Sequence, residues 1–185
     1  MRIIGGKNRG RKLLLPDQAY TRPTTDRVRE AIFNILMHSR DVSLVGARVL
    51  DAFAGSGAMG LEAFSRGAEH VTFVESNSKV AKVLQLNIGL FSSAEQTYLI
   101  HGDLATIKAS PDGMDLVFLD PPYGKELEFK AIPYLQAQGW IDHKTMIVYE
   151  TDGKTDMTPM LPWVEILEER QYGGVKVYLL KMRNI

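Results

Sequence analysis

Two stretches of the sequence carry residue types that could do chemistry: Asp120-Pro121-Pro122-Tyr123, and the glycine-spaced run from Asp51 to Gly60, DAFAGSGAMG. Two successive prolines fix the backbone and remove two N–H donors, leaving carbonyl acceptors beside a carboxylate and an aromatic face. That set suits an amino group on a planar ring. Such an amine is a poor nucleophile because its lone pair is delocalised into the ring. If Asp120 and a proline carbonyl accept its N–H protons, the pair is localised toward an incoming methyl group, while Tyr123 stacks on the base.

In the second stretch Gly55, Gly57 and Gly60 have G-x-G-x-x-G spacing after an apolar strand and at the start of a helix, where glycine allows a tight turn and close approach of a ligand. Phe53 and Ser56 lie in the same loop and count with it as ligand contacts. Glu75 follows Gly55 by 20 residues, where a carboxylate can accept both hydroxyls of an adenosine ribose. Two ligands compete for such a loop, NAD and S-adenosylmethionine. A pyrophosphate belongs at the helix N-terminus, and Asp51 immediately before the loop would repel it. The same carboxylate helps to hold a cationic ligand, which favours S-adenosylmethionine, although an Asp here can equally cap a turn. Asp103, after the third strand, could accept the adenine amino group or serve as a solvated turn residue.

The elements that must position these groups follow from periodicity. Residues 1 to 15 read as a hairpin turning near Asn8-Arg9-Gly10. Thr24, Thr25 or Asp26 can cap a helix with Val28, Ala31, Ile32, Ile35 and Leu36 on one face, which leaves Arg22, Arg27 and Arg29 for ligands or water. From residue 47 onward strands and helices alternate: strands at 48–50, 70–74, 97–100, 115–119 and 146–149, with helices between the first three and around 126–137. Residues 164–169 and 175–180 alternate about Gly173-Gly174, a hairpin that adds an antiparallel edge to a parallel sheet.

Composition narrows the chemistry. The 185 residues include no cysteine, which excludes disulfides, thiolate metal sites and cysteine nucleophiles. The four histidines are scattered without metal-ligand spacing, so no metal is expected. Net charge is zero, but residues 1 to 40 hold nine basic and three acidic side chains. A basic arm on an acidic body suggests a polyanionic partner, nucleic acid first. With no bilayer-length apolar run and no apolar segment after the basic N-terminus, the expected location is the cytoplasm.

These residues together resemble a known family, the bacterial small-subunit (16S) ribosomal RNA guanine-N2 methyltransferases. The resemblance covers essentially the whole chain: Arg2 to Gly6, Arg9 to Leu13, Arg22-Pro23-Thr24-Thr25-Asp26-Arg27-Val28-Arg29-Glu30 with Phe33-Asn34, Asp51 to Gly60, Glu75, and Asp120 to Tyr123. It implies a Rossmann-like class I methyltransferase fold, with a mostly parallel seven-stranded sheet and an antiparallel last strand. A basic hairpin extension (residues 1–22) would precede the catalytic domain (23–185). S-adenosylmethionine would lie over Asp51, Gly55, Gly57 and Glu75, with Asp103 near its adenine. The target guanine would face Asp120 to Tyr123. Some family members have Phe where this chain has Tyr123, so the hydroxyl has no assigned part. Arg9, Arg11, Lys12, Arg22, Arg27 and Arg29 are the expected RNA contacts, on 16S RNA within the small subunit or an assembly intermediate. The rivals are an N6-adenine methyltransferase on RNA or DNA, a non-catalytic ribosome-assembly factor, and an NAD-dependent oxidoreductase.

Overall fold

Strands buried on both faces read as continuous apolar runs, and LVFL of Leu116–Leu119 is one, with all four residues buried. It is β4 of a seven-stranded sheet in the computed structural model, which describes residues 1–17, 25–91, 95–110, 112–121 and 127–184 (side chains of 127 and 128 excepted). The other strands are β1 (Arg48–Asp51), β2 (His70–Glu75), β3 (Thr97–His101), β5 (Met146–Thr151), β6 (Val164–Tyr172) and β7 (Val175–Met182), in the order β3-β2-β1-β4-β5-β7-β6. β1 to β5 are parallel, while β7 runs antiparallel between β5 and the edge strand β6.

Helices cover both faces. On one lie α1 (Asp26–His38), α2 (Ala58–Ser65) and α3 (Ser78–Phe91), which join Val49, Phe118 and Val148 in a single apolar layer. On the other, α4 (Leu127–Ala137) packs Ile132 and Leu135 with Leu50, Val117 and Tyr149. Thr25 caps α1, its hydroxyl accepting from Val28 N at 3.4 Å. The strand and helix expectations hold to within a few residues at their ends, since they rest on local apolar periodicity.

The N-terminal segment departs from a regular hairpin. Its arms pair through the antiparallel Arg2–Lys12 bridge, with Ile3 N donating to the Arg11 carbonyl, Gly10 N to the Ile3 carbonyl and Leu13 N to the Met1 carbonyl, around a 3-10 turn at Gly6–Asn8. The reason is what it packs against. Ile4 N and Gly5 N each donate to the Glu62 carboxylate at 2.8 Å, and Asn8 N donates to Ser65 Oγ at 2.9 Å. The turn is thereby held on α2, and Ile3 and Leu13 are buried in the α1–α3 layer. Among the described residues no helix is long and apolar enough to cross a membrane.

Candidate active site

The carboxyl ends of β1, β4 and β5 bring together acids that are far apart in sequence. Asp51 lies opposite Phe118, and Leu119 opposite Tyr149. Asp120 and Glu150 therefore follow in the next register position on neighbouring strands. Because side chains alternate across a strand, Asp51 shares the face of Val49 and Glu150 that of Val148, the face covered by α1 to α3.

Burial dominates the electrostatics of this edge. It holds the Asp51 carboxyl up at about 7, opposed by a hydrogen bond from Gly60 N (2.9 Å) and reinforced by Glu75. Asp120 is half-buried, and its carboxyl is pushed well above the usual range by desolvation, then by Glu150, then by Asp51. Burial and mutual repulsion thus make these carboxyls harder to ionise than free ones.

The glycine loop enters α2 through Gly57, whose φ of +81 favours glycine; a Cβ there would lie 2.4 Å from Leu84 Cδ1. Gly60 lets α2 approach β2, since a Cβ on it would meet the Phe73 ring at 2.4 Å. Glu75 closes β2 and fixes the loop: Oε2 accepts from Gly55 N at 3.0 Å and Oε1 from Asn77 N at 2.8 Å. Each oxygen keeps a further lone pair, so the carboxylate offers two more acceptors at the sheet edge. Asp51 is both a buried acid and the tether of the third residue of α2. Phe53 is half-buried against the α4 layer, and Ser56 is buried with its Oγ 3.9 Å from Met1 Sδ. Asp103 takes its turn role at one oxygen, accepting from Ala105 N at 2.9 Å. Pro121 is buried. Pro122, Tyr123 and Arg22 lie outside the described residues.

The basic residues are not one strip along the pocket. Arg29 is corrected outright: it is fully buried, donates from Nη2 to Asp26 (3.0 Å) and to the Arg2 carbonyl, and has Nε 3.7 Å from Glu62. Its side chain holds the N-terminal segment and α1 together, which removes it from RNA. Burial lowers its pKa, with Asp26 and Glu62 opposing that shift. Arg27 is exposed on the first turn of α1. Arg9 follows Asn8 at the far end of α2, and Arg11 donates to the Leu90 carbonyl (3.0 Å) in the last turn of α3. Both helices start at the site edge, so Arg9 and Arg11 stand toward the opposite one. Lys12 is exposed at the Arg2 bridge.

Three further residues emerge from the packing. Asn87 of α3 and Glu62 of α2 are fully buried polar side chains on otherwise apolar helix faces, and Glu150 lies next to last in the buried strand β5, beside Asp120. A polar residue at a core position was the available sequence signal for each.

The sheet order, the antiparallel β7 and the glycine loop after β1 define a Rossmann-like methyltransferase fold. The solved structure of the putative methyltransferase yhhF from Escherichia coli matches it with a TM-score of 0.83 and 34% identity, covering 99% of this chain and 98% of that one. An RNA methyltransferase from Salinibacter ruber, solved in complex with S-adenosyl-L-homocysteine, shares the fold at a TM-score of 0.65 and 19% identity, over 89% of this chain and 95% of that one. The chain belongs to the family described as conserved hypothetical protein 95, whose profile matches residues 1–181. A relative, ribosomal RNA small subunit methyltransferase D of Escherichia coli (strain K12), is 36% identical over 184 residues, covering 100% of this chain and 90% of that protein.

Proposed function

We propose that the protein transfers a methyl group from S-adenosylmethionine to the exocyclic N2 of a guanine in 16S ribosomal RNA, within the small subunit or an assembly intermediate. The observation that carries this reading is the position of Asp120-Pro121 at the end of β4, one strand from Asp51 and its glycine loop. The full-length similarity to a protein named ribosomal RNA small subunit methyltransferase D supports it.

The residues present fit this cofactor. Glu75 has two acceptor positions left for a ribose diol, and burial, together with neighbouring carboxyls, holds Asp51 and Asp120 protonated more than usual. A cationic ligand satisfies that edge where a pyrophosphate would not. When bound, S-adenosylmethionine supplies an electrophilic methyl on a sulfonium. With positive charge alongside, Asp51 and Asp120 ionise. The Asp120 carboxylate would then accept an N–H of the guanine amine and hold the proton that the amine gives up on methylation. Pro121 and Pro122 offer carbonyls to the second N–H, and Tyr123 stacks on the base. Positioning and the exclusion of water provide the rate.

Single-turnover methyl transfer to 16S RNA and to small-subunit particles tests the reading. Asp120→Ala is expected to lose about 100-fold or more of the rate, with affinity for S-adenosylhomocysteine changed only a few-fold. Methyl found on adenine N6 would refute the guanine reading, and full activity of the variant would refute the part given to Asp120.

A further inference from the structure

Asn87 makes a set of contacts that neither packing nor the chemical step explains. Its side chain is fully buried in α3, between Leu84 and Phe91 of the apolar face. Nδ2 donates to the Leu14 carbonyl and to the Ser56 carbonyl, both at 2.9 Å, and Oδ1 accepts from Leu14 N at 2.9 Å. Two carbonyl partners require an NH2 facing them, so the amide has one possible orientation. Toward Leu14 the carboxamide acts as a strand partner would, pairing both backbone groups of one residue. Toward the glycine loop it holds the peptide between Gly55 and Gly57, both at positive φ, while Glu75 holds the loop's other side through Gly55 N.

One buried side chain thus joins the basic N-terminal segment to the loop at the cofactor edge, bridging 73 residues to Leu14 and 31 to Ser56. We propose that Asn87 is a positioning residue that couples these two parts, so that RNA held by the N-terminal segment tightens cofactor binding and cofactor tightens RNA binding. This rests on the function proposed above. Leu14 cannot shift along α3 without breaking two of the three bonds, and the Ser56 peptide cannot turn without breaking the third. An arrangement of either partner that keeps the carboxamide satisfied therefore favours the matching arrangement of the other. Such coupling is reciprocal by thermodynamic necessity.

The test measures the affinity of the full chain for S-adenosylhomocysteine with and without saturating 16S RNA, at a temperature where every variant is folded. The wild-type protein is expected to bind the product about five-fold or more tightly with RNA present, within the usual range for coupled sites. In Asn87→Leu, which keeps the volume and removes all three bonds, the ratio is expected to fall to about one. A purely structural role would lower the melting temperature and leave the ratio intact. Should Asn87→Leu fail to fold, amide exchange in the wild-type protein decides. Product binding is expected to slow exchange at Leu14 N–H and leave Ile3 N–H, which pairs with the Arg11 carbonyl, unchanged. A wild-type ratio near one, an undiminished ratio in Asn87→Leu, or unaltered Leu14 exchange overturns the coupling while the methyltransferase reading stands. Absence of RNA binding or of product binding in the wild-type protein overturns the reading itself.

Discussion

At the scale of single residues, the raised Asp51 carboxyl sets two opposing pH dependences. The folded protein holds a proton on Asp51 that the unfolded chain releases between its ordinary 3.8 and about 7. Stability therefore falls as pH rises through that window, and above it the loss has a ceiling of about 4 kcal/mol. Ligand binding has the other sign, because a cation prefers the ionised form. Affinity for S-adenosylmethionine is expected to rise with pH through about 7 and then level off. Asp51→Asn should flatten that profile, weaken binding at alkaline pH and raise the melting temperature there. Calorimetric titrations and thermal unfolding across the same pH range check both signs; a flat binding profile in the wild-type protein would show that Asp51 does not face the cation.

At the scale of elements, α2 is the piece on which the rest is assembled. Its N-terminus is set by the glycine loop, its third residue by Asp51, and its buried Glu62 receives two backbone amides of the N-terminal segment together with Arg66 at 2.7 Å and Arg29 at 3.7 Å. Removing one partner from a buried ion pair leaves the other uncompensated. Glu62→Ala is accordingly expected to destabilise by about 3–5 kcal/mol in urea unfolding, far more than an RNA-facing glutamate would. If the loss is below about 1 kcal/mol, the range of an exposed pair, the N-terminal segment is held by its apolar contacts and not by Glu62. The helical pattern of α2 was legible in the sequence, whereas glycine at 60, read there as room for a turn and a ligand, proves to make room for the Phe73 ring. The demand for an acid at 62 was not legible, because apart from Arg66 its partners come from α1 and the N-terminal segment, up to 58 positions away.

At the scale of the whole molecule, the expected RNA contacts that the structure describes stand apart from one another. Arg27 lies at the α1 start, whereas Arg9 sits beyond the far end of α2, an eight-residue helix about 12 Å long. An RNA that touches both Arg9 and Asp120 must span at least the length of α2. The double variant Arg9→Ala, Lys12→Ala is expected to reduce the slope of log affinity against log salt by about 0.7 for each lost phosphate contact on single-stranded RNA. Cofactor affinity without RNA should be unchanged, and base preference should be preserved because phosphate contacts do not read bases. Arg29→Lys, by contrast, should change stability and leave the slope alone. Binding titrations at several salt concentrations separate the two, and an unaltered slope in the double variant would assign Arg9 and Lys12 to a solvated surface.

What the sequence determined by itself is whatever depends on near neighbours. Apolar periodicity set the strands and helices, the run Thr24-Thr25-Asp26 marked the start of α1, and glycine spacing with Glu75 twenty residues on marked the loop. These are local constraints, expressed within a turn, a helix face or one βαβ unit. Tertiary structure decided where the positive charge went and which polar residues are structural. Arg29 looked like a ligand for RNA because a helix N-terminus with arginine gives no sign of what will cover it. It became a buried tie because the N-terminal segment folds over it and brings Glu62 and the Arg2 carbonyl to it. Asn87 and Glu150, polar residues in apolar runs, carried a signal whose meaning came only when distant backbone and the neighbouring strand reached them. A buried polar group is stable only when its partners reach it, and those partners are chosen by the fold.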